Sequence, residues 1–261
     1  MNQEQIAESA AILWKNWMQS GLIDALPEHC RPSSREEAYA IQAEVARLSA
    51  QRLFGWKIAA TSTDGQKHIG VDGPLAGRLL AGRVMQCGAQ LVLGQNLMKV
   101  AEAEFAFRIG TPLPPRSEDY SMQEVLAAVD TLHPAIEIPD SRYTDFARVG
   151  ASQLIADNAC ACWFILGAET KVDWRAYDLP AHTVTAWRND DLAAQGNGAN
   201  VLGDPRIALT WIANELSALG IGLNAGETVT TGTCVLPQPI APGDAFRADF
   251  GDLGSVSVEI R

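Results

Sequence analysis

Apolar residues recur three and four apart over the first fifty positions, and after residue 52 the period shortens to two. Ile6, Ala10, Leu13 and Trp17 form one stripe at helical spacing, with Gly21 behind them as a stop. PEHCRPSS (27–34) reads as a loop. Ser34 with Glu37 makes a capping box for a second helix, whose buried face is Ala38, Ile41, Val45 and Leu48. Trp17 and these aliphatics read as core rather than as ligand contacts.

Beyond residue 52 the texture is short strands and glycine-rich turns. Strands are predicted in LFGWKIAAT (53–61), LVLG (91–94), VAEAEFAFRIG (100–110), HPAIEIPDSR (133–142) and ACWFILGA (161–168). HTVTAWRNDDLAAQG (182–196) predicts a hairpin turning at 189–191, whereas IGVDGPLAGRLLAG (69–82) reads as turns and loop. Ser121 and Glu124 cap a helix running to about Leu132. Asp204 followed by Pro205 opens another, which Gly220 ends. The tail from Glu227 is a strand meander with turns at Pro242-Gly243-Asp244 and Gly251-Asp252. Strands scattered among few helices, joined by hairpins, predict an α+β fold rather than a doubly wound parallel sheet. The expected organisation is a helical N-terminal portion, 1–52, on a mixed-β core, 53–261, as one continuous unit.

Composition narrows the function classes. The chain has 261 residues, 47% hydrophobic and 20% charged, which suits a globular protein with a real core. A formal net charge of −11 argues against nucleic-acid or anionic-membrane partners, which require excess Lys and Arg. The longest clear apolar run, ACACWFILGA (159–168), has ten residues, too few to span a bilayer. MNQEQIAESA has neither a basic n-region nor an apolar h-region, so a cytoplasmic location is expected. Cys160 and Cys162 are two apart and no His cluster accompanies them, so the five cysteines are expected to be reduced and structural. No GxGxxG or Walker-type loop opens a helix, which leaves nucleotide chemistry unsupported.

Against this background a few charges stand out. Glu102 and Glu104 lie two apart in VAEAEFAF (100–107), so on a strand they share one face while Ala101, Ala103, Phe105 and Phe107 take the other. The pair alone is also what a half-buried strand with a wet side would show. Glu137, between Ile136 and Ile138, is a second carboxylate placed on an apolar strand. Together the three would make an oxygen-only site suited to Mg²⁺ or Mn²⁺, and zinc is disfavoured because no His or Cys pairs with them. Lys57 is the only charge in FGWKIAAT and reads either as structural, a snorkelling lysine or half of a buried salt bridge, or as a site residue. Asp72, in the turn GVDGP, reads as a turn-former or as a site residue.

The ordered set GWKIAATS (55–62), HIGVDGPLAGRLL (68–80), VAEAEFAF (100–107), PAIEIPDSR (134–142) and IADNACACWFILG (155–167) resembles the fumarylacetoacetate hydrolase superfamily, in its hydratase/decarboxylase branch. GNGANVLGDPRIALTWIANELSALG (196–220) and VTTGTCVLPQPIAPGD (229–244) continue the resemblance, which covers nearly the whole chain in the family's order. It implies a mixed β-sheet or β-roll core of the fumarylacetoacetase C-terminal type. It also implies metal ligands at Glu102, Glu104 and Glu137, catalytic roles for Lys57 and Asp72, and a substrate-holding turn at Gly232-Thr233. Ala59, Cys160-Ala161, Cys234 and Val100-Ala101 depart from the branch's usual residues, close to where substrate should sit.

The activity so implied is a Mg²⁺- or Mn²⁺-dependent hydratase that adds water to a 2-hydroxy-2,4-dienoate, giving a 4-hydroxy-2-oxo acid in aromatic-compound catabolism. Two other reactions share the chemistry: decarboxylation of a 2-oxo-3-enedioate, and hydrolysis of an acylpyruvate, for which Glu28-His29 is the only adjacent Glu-His pair. A non-catalytic protein keeping the fold would be expected to lose a metal ligand. The expected partners are a small anionic 2-oxo or 2-hydroxydienoate substrate, further copies of the chain, and a complex with a decarboxylase or aldolase.

Overall fold

The computed structural model describes residues 1–261. Helix α1 (Gln3–Gln19) opens on a reciprocal cap: the Asn2 side chain accepts from the Gln5 amide, and the Gln5 side chain accepts from that of Asn2. Helix α2 (Arg35–Ser49) is capped by the Ser34 hydroxyl. Its capping box is only half made, because the Glu37 carboxylate accepts instead from Ser33 and the chain's own amino terminus. Ala10, Leu13 and Trp17 of α1, with Ala38, Ile41 and Val45 of α2, are buried in the same apolar cluster as the strands that follow.

Those elements are β1 (Leu53–Ala59), α3 (Thr63–Ile69), β2 (Leu75–Leu80), β3 (Val84–Gln86), β4 (Ala89–Leu91) and β5 (Val100–Ile109). Next come α4 (Met122–Ala128), β6 (Val129–Ile138), α5 (Ala151–Ala156), β7 (Trp163–Leu166), β8 (Thr183–Arg188) and β9 (Asp191–Asn197). The chain ends with α6 (Pro205–Ala218), β10 (Thr228–Thr233), β11 (Gln238–Pro239), β12 (Ala245–Asp249) and β13 (Ser255–Ile260).

The larger sheet runs β2-β1-β10-β5-β6-β7-β3, with β11 on the entrance to β5; the smaller runs β4-β13-β12-β8-β9. Pairs β1/β10, β3/β7 and β4/β13 are parallel and the rest antiparallel, so the fold is α+β with mixed sheets. The two sheets meet over the aromatic face of β5. Phe105 packs its ring 5.0 Å from that of Phe250, and Phe107 packs 5.5 Å from Trp174. All four are buried, and each ring removed from water contributes roughly 1.5–3 kcal/mol. The opposite face of β5 is thereby free for polar chemistry.

The structure corrects the element reading in several places. Residues 75–80, expected as loop, form the fully buried strand β2. The glycines that suggested turns include Gly77, where an added Cβ would lie 2.4 Å from the Asn158 carbonyl; a glycine within a strand marks such close approach. The helix capped by Ser121 stops at Ala128 and the chain continues directly as β6, although Val125, Val129 and Leu132 keep a helical period to the expected end. Helices α3 and α5 were not foreseen, and the strand expected at 91–94 lies at 89–91.

Gly55 fixes the contact between β1 and β10. A Cβ there would sit 1.8 Å from the Thr228 carbonyl oxygen, which is backbone and cannot rotate away. Gly55→Ala should therefore lower the free energy of unfolding by at least about 1–3 kcal/mol, the usual cost of overpacking. An unchanged urea midpoint would show that the strands can part without penalty.

Candidate active site

The site is a product of register. In the antiparallel β5/β6 pair Glu102 stands directly opposite Glu137, and Glu104 follows two residues along on the same face. On the other side of β5, strand β10 changes register between Thr230 and Thr233. That irregularity turns the Gly232 amide and the Thr230 hydroxyl onto Glu104 Oε2, the amide at 2.8 Å. Strand β1 lies beyond β10 with Lys57 beside Thr230. Lys57 Nζ donates to the Ala159 carbonyl at 3.0 Å and stands 3.0 Å from Glu137 Oε1.

One oxygen from each of Glu102, Glu104 and Glu137 lies within 4.8 Å of the others. Glu104 and Glu137 are fully buried and Glu102 is half-buried. Glu104 Oε1 and both oxygens of Glu137 have no hydrogen-bond partner; the Lys57 contact is ionic rather than an aligned hydrogen bond. Burial, then the Glu137 charge, push Glu102 up to about 7, with Lys57 opposing. Burial first, and the charges of Glu137 and Glu102 next, push Glu104 up as well. Glu137 is raised by burial against the pull of Lys57. For Lys57, burial works against the charge but Glu137, Glu102 and Glu104 outweigh it, so its pKa rises and it stays an ammonium.

Buried carboxylate oxygens without donors are costly, and Glu104 and Glu137 hold three of them within a cluster that Glu102 completes. An all-oxygen, all-anionic donor set of this size fits a hard divalent cation, and no thiolate or imidazole competes within the cluster. The residues present therefore fit a bound divalent metal.

Lys57, Glu102 and Glu104 lie on the wall of a cavity of about 1370 Å³, and Glu137 is buried against them outside its lining. Gly232 and Thr233 line it beside them. Gly232 has φ +103°, and a Cβ on it would come 2.0 Å from Thr61 Oγ1, so glycine is required there. The Thr233 hydroxyl donates to the Val235 carbonyl at 2.7 Å, leaving its lone pairs for the cavity. Cys160 adds a neutral patch of wall, because burial pushes its thiol up to about 12. The structure thus brings Lys57, Glu102, Glu104, Glu137, Gly232 and Thr233 together. It leaves Asp72 exposed on the turn between α3 and β2, outside the cavity lining. Sequence reasoning missed Thr230, Thr61 and the Ala159 carbonyl; only the two-residue spacing of Thr230 from Gly232 hinted that it would share a face with the chemistry.

The chain matches the family described as Fumarylacetoacetate (FAA) hydrolase C-terminal over residues 84–261. It belongs to the fumarylacetoacetate hydrolase family. All three glutamates lie inside the family segment, whereas Lys57 precedes it. Relatives of full length extend the likeness to the rest. A 2-keto-4-pentenoate hydratase of Paraburkholderia xenovorans is 34% identical, over 99% of this chain and 96% of its own. A 2-hydroxyhexa-2,4-dienoate hydratase of Comamonas testosteroni is 32% identical over 86% of this chain and 85% of its own. Among solved structures, the 4-oxalocrotonate decarboxylase of Pseudomonas putida G7, complexed with magnesium and adipate, superposes with a TM-score of 0.90. It is 27% identical, over 100% of this chain and 99% of that one.

The buried carboxylates of this family member repel one another when no cation lies between them. Glu104→Gln should relieve that repulsion, so in chelator the variant should melt at or above the wild-type temperature, while its divalent-metal affinity falls by roughly 10- to 100-fold. A fall of several degrees in the melting temperature of the chelator-treated variant would mark Glu104 as a structural ion-pair partner instead.

Proposed function

We propose that this protein is a metal-dependent hydro-lyase that adds water to a 2-hydroxy-2,4-dienoate, through its 2-oxo-enoate tautomer, to give a 4-hydroxy-2-oxo acid. One observation carries the reading: a three-carboxylate cluster with one buried ammonium against it, of which Glu102, Glu104 and Lys57 reach the wall of a cavity whose lining holds no other lysine and no arginine. The similarity to hydratases over nearly the full chain supports the same reaction.

Glu102, Glu104 and Glu137 would hold Mg²⁺ or Mn²⁺. A cation bound there supplies a Lewis acid for the carboxylate and neighbouring oxygen of a 2-oxo acid. The protein's own groups do the rest. Lys57, protonated and held by Ala159 and Glu137, offers its ammonium to negative charge developing on the substrate's C2 oxygen and is the proton carrier for the reacting carbons. In the overall change a proton is added at C5 of the dienol, giving the 3-enoate; water oxygen then adds at C4 and a proton at C3. Gly232 and Thr233 contact the substrate from β10, and Gly232 simultaneously fixes Glu104 through its amide. Asp72 is given no contact with substrate, because it lies outside the lining.

The likeness to a decarboxylase structure favours a second reading, loss of CO₂ from a 2-oxo-3-enedioate. Such a substrate carries a second carboxylate, for which this cavity has no lysine or arginine beyond Lys57; much of the remaining wall is apolar, with Leu75, Leu154, Phe146, Ile69, Met98 and Val235. Acylpyruvate hydrolysis has less support. His29 pairs with Glu8 at 2.9 Å rather than with Glu28, both residues of the Glu28-His29 pair are exposed, and neither lines the cavity.

Purified protein with Mg²⁺ or Mn²⁺ should convert a 2-hydroxydienoate with an uncharged tail to a product heavier by one water. EDTA should abolish turnover and either metal should restore it. CO₂ release from an enedioate, with no hydration of the dienoate with an uncharged tail, would decide for the decarboxylase.

Lys57→Met keeps the apolar stem and removes the charge. The variant should fold and bind metal, and its kcat should fall by roughly 10²–10⁴-fold, the range for a positioned proton-transfer group. Wild-type turnover by the folded variant would remove the lysine from the mechanism.

A further inference from the structure

We infer that the turn Asn158–Cys160 is a positioning element for Lys57, and that Asn158 is the positioning residue through which it acts. The inference rests on the proton-carrying role proposed for Lys57. Three consecutive residues, none of them glycine, hold left-handed backbone here: φ is +56° at Asn158, +49° at Ala159 and +60° at Cys160. Of the three only asparagine tolerates that region readily, so the surroundings must impose it on the alanine and the cysteine.

They do so from three sides. Asn158 Oδ1 accepts from the Arg78 amide at 2.6 Å and its Nδ2 donates to the Arg78 carbonyl at 2.8 Å, so the side chain clamps the β2 backbone at both polar groups. The preceding residue, Asp157, is buried and accepts from the Arg142 guanidinium, the Arg142 amide and the Ser141 hydroxyl. On the far side the Cys160 carbonyl accepts from the Asp140 amide at 2.9 Å.

What the strained turn delivers is one carbonyl. Ala159 O receives Lys57 Nζ at 3.0 Å and is its only hydrogen-bond acceptor, while Glu137 supplies an ionic contact at 3.0 Å. A neutral acceptor orients the ammonium without adding negative charge to a site that already has three carboxylates. Gly77 leaves the space: a Cβ there would lie 2.4 Å from the Asn158 carbonyl and 3.0 Å from Lys57 Cδ. Asn158 itself is buried and does not line the cavity, so it reaches the substrate only through the lysine.

A double-mutant cycle tests this. In the wild-type background, Asn158→Ala should lower kcat by about 10- to 100-fold, the scale of a small misplacement of a reacting group, with KM and Mg²⁺ affinity little changed. In the Lys57→Met background the same substitution should change residual kcat by no more than about twofold, because nothing remains to position. Asn158→Gly, which keeps the left-handed backbone free of strain and removes only the clamp, should show the same pattern and serves if the alanine variant folds poorly. A full loss repeated on top of Lys57→Met, a loss confined to KM or Mg²⁺ affinity, or unchanged kcat in both Asn158 variants would overturn the positioning role and leave Lys57 as proton carrier untouched. Wild-type turnover by Lys57→Met would overturn both, and the single variant tells the two failures apart.

Discussion

Three carboxylates against one ammonium, in a place where water does not reach most of their oxygens, leave two formal negative charges to be balanced. That imbalance is the constraint on which the rest depends. Like charges a few ångströms apart in a weakly screening interior repel by several kcal/mol, and burial alone already disfavours each ion. Protonation is one escape, and the upward shifts of all three glutamates show the protein leaning toward it. A divalent cation is the other, and it matches the deficit of two charges.

The sheet makes this arrangement obligatory. Because side chains alternate along a strand, a one-residue slip of β5 would send Glu102 and Glu104 into the aromatic layer and bring Phe105 and Phe107 onto the site. The apolar contact with the second sheet therefore holds the carboxylates where they are, and hydrophobic burial on one face offsets the electrostatic cost on the other. Ala106 and Ala135 occupy the polar face between the charged residues, and Ala103 and Ile136 the face behind. Small side chains on the first and close packing on the second keep the cluster both open and rigid.

The three carboxylate positions were legible because strand periodicity is strict and carboxylates in apolar strands are rare. The pattern placed Glu102, Glu104 and Glu137 on comparable strands. Their juxtaposition depends on pairing order, which no local pattern encodes. Lys57 was legible as an anomaly, and the structure buries it against Glu137 rather than letting it snorkel. Strand β2 was not legible: Gly73, Pro74, Gly77 and Gly82 look like turn chemistry, and only the close approach of Asn158 and the Lys57 stem explains why a buried strand needs glycine. The register change in β10 was equally hidden, since nothing in TVTTGT marks where the pairing shifts between Thr230 and Thr233. Asp72 rests on likeness alone: the motif implies a role, and the structure sets the residue on an exposed turn outside the cavity lining.

The N-terminal helices, easily taken for an appendage, are wired to the chemistry. Gln42, buried on α2, donates through Nε2 to the Ala76 carbonyl at 2.9 Å and to the Ile155 carbonyl at 2.8 Å, tying β2 to α5. Its Oε1 accepts from the Arg78 guanidinium, which lies 4.7 Å from the Trp56 ring and has no carboxylate partner. Burial depresses Arg78 to about 10, so it remains a cation at neutral pH and depends on Gln42 and the tryptophan face for its place. The backbone of that same arginine is what Asn158 grips. A continuous path thus runs from α2 through Gln42, Arg78, Asn158 and Ala159 to the Lys57 ammonium. The family segment at 84–261 contains the three clustered glutamates but none of Gln42, Lys57 or Arg78. Lys57 thus comes from outside that segment while Glu137, Asn158 and Ala159, which hold it, lie inside, so full-length likeness to hydratases bears on the reaction more directly than the family match does.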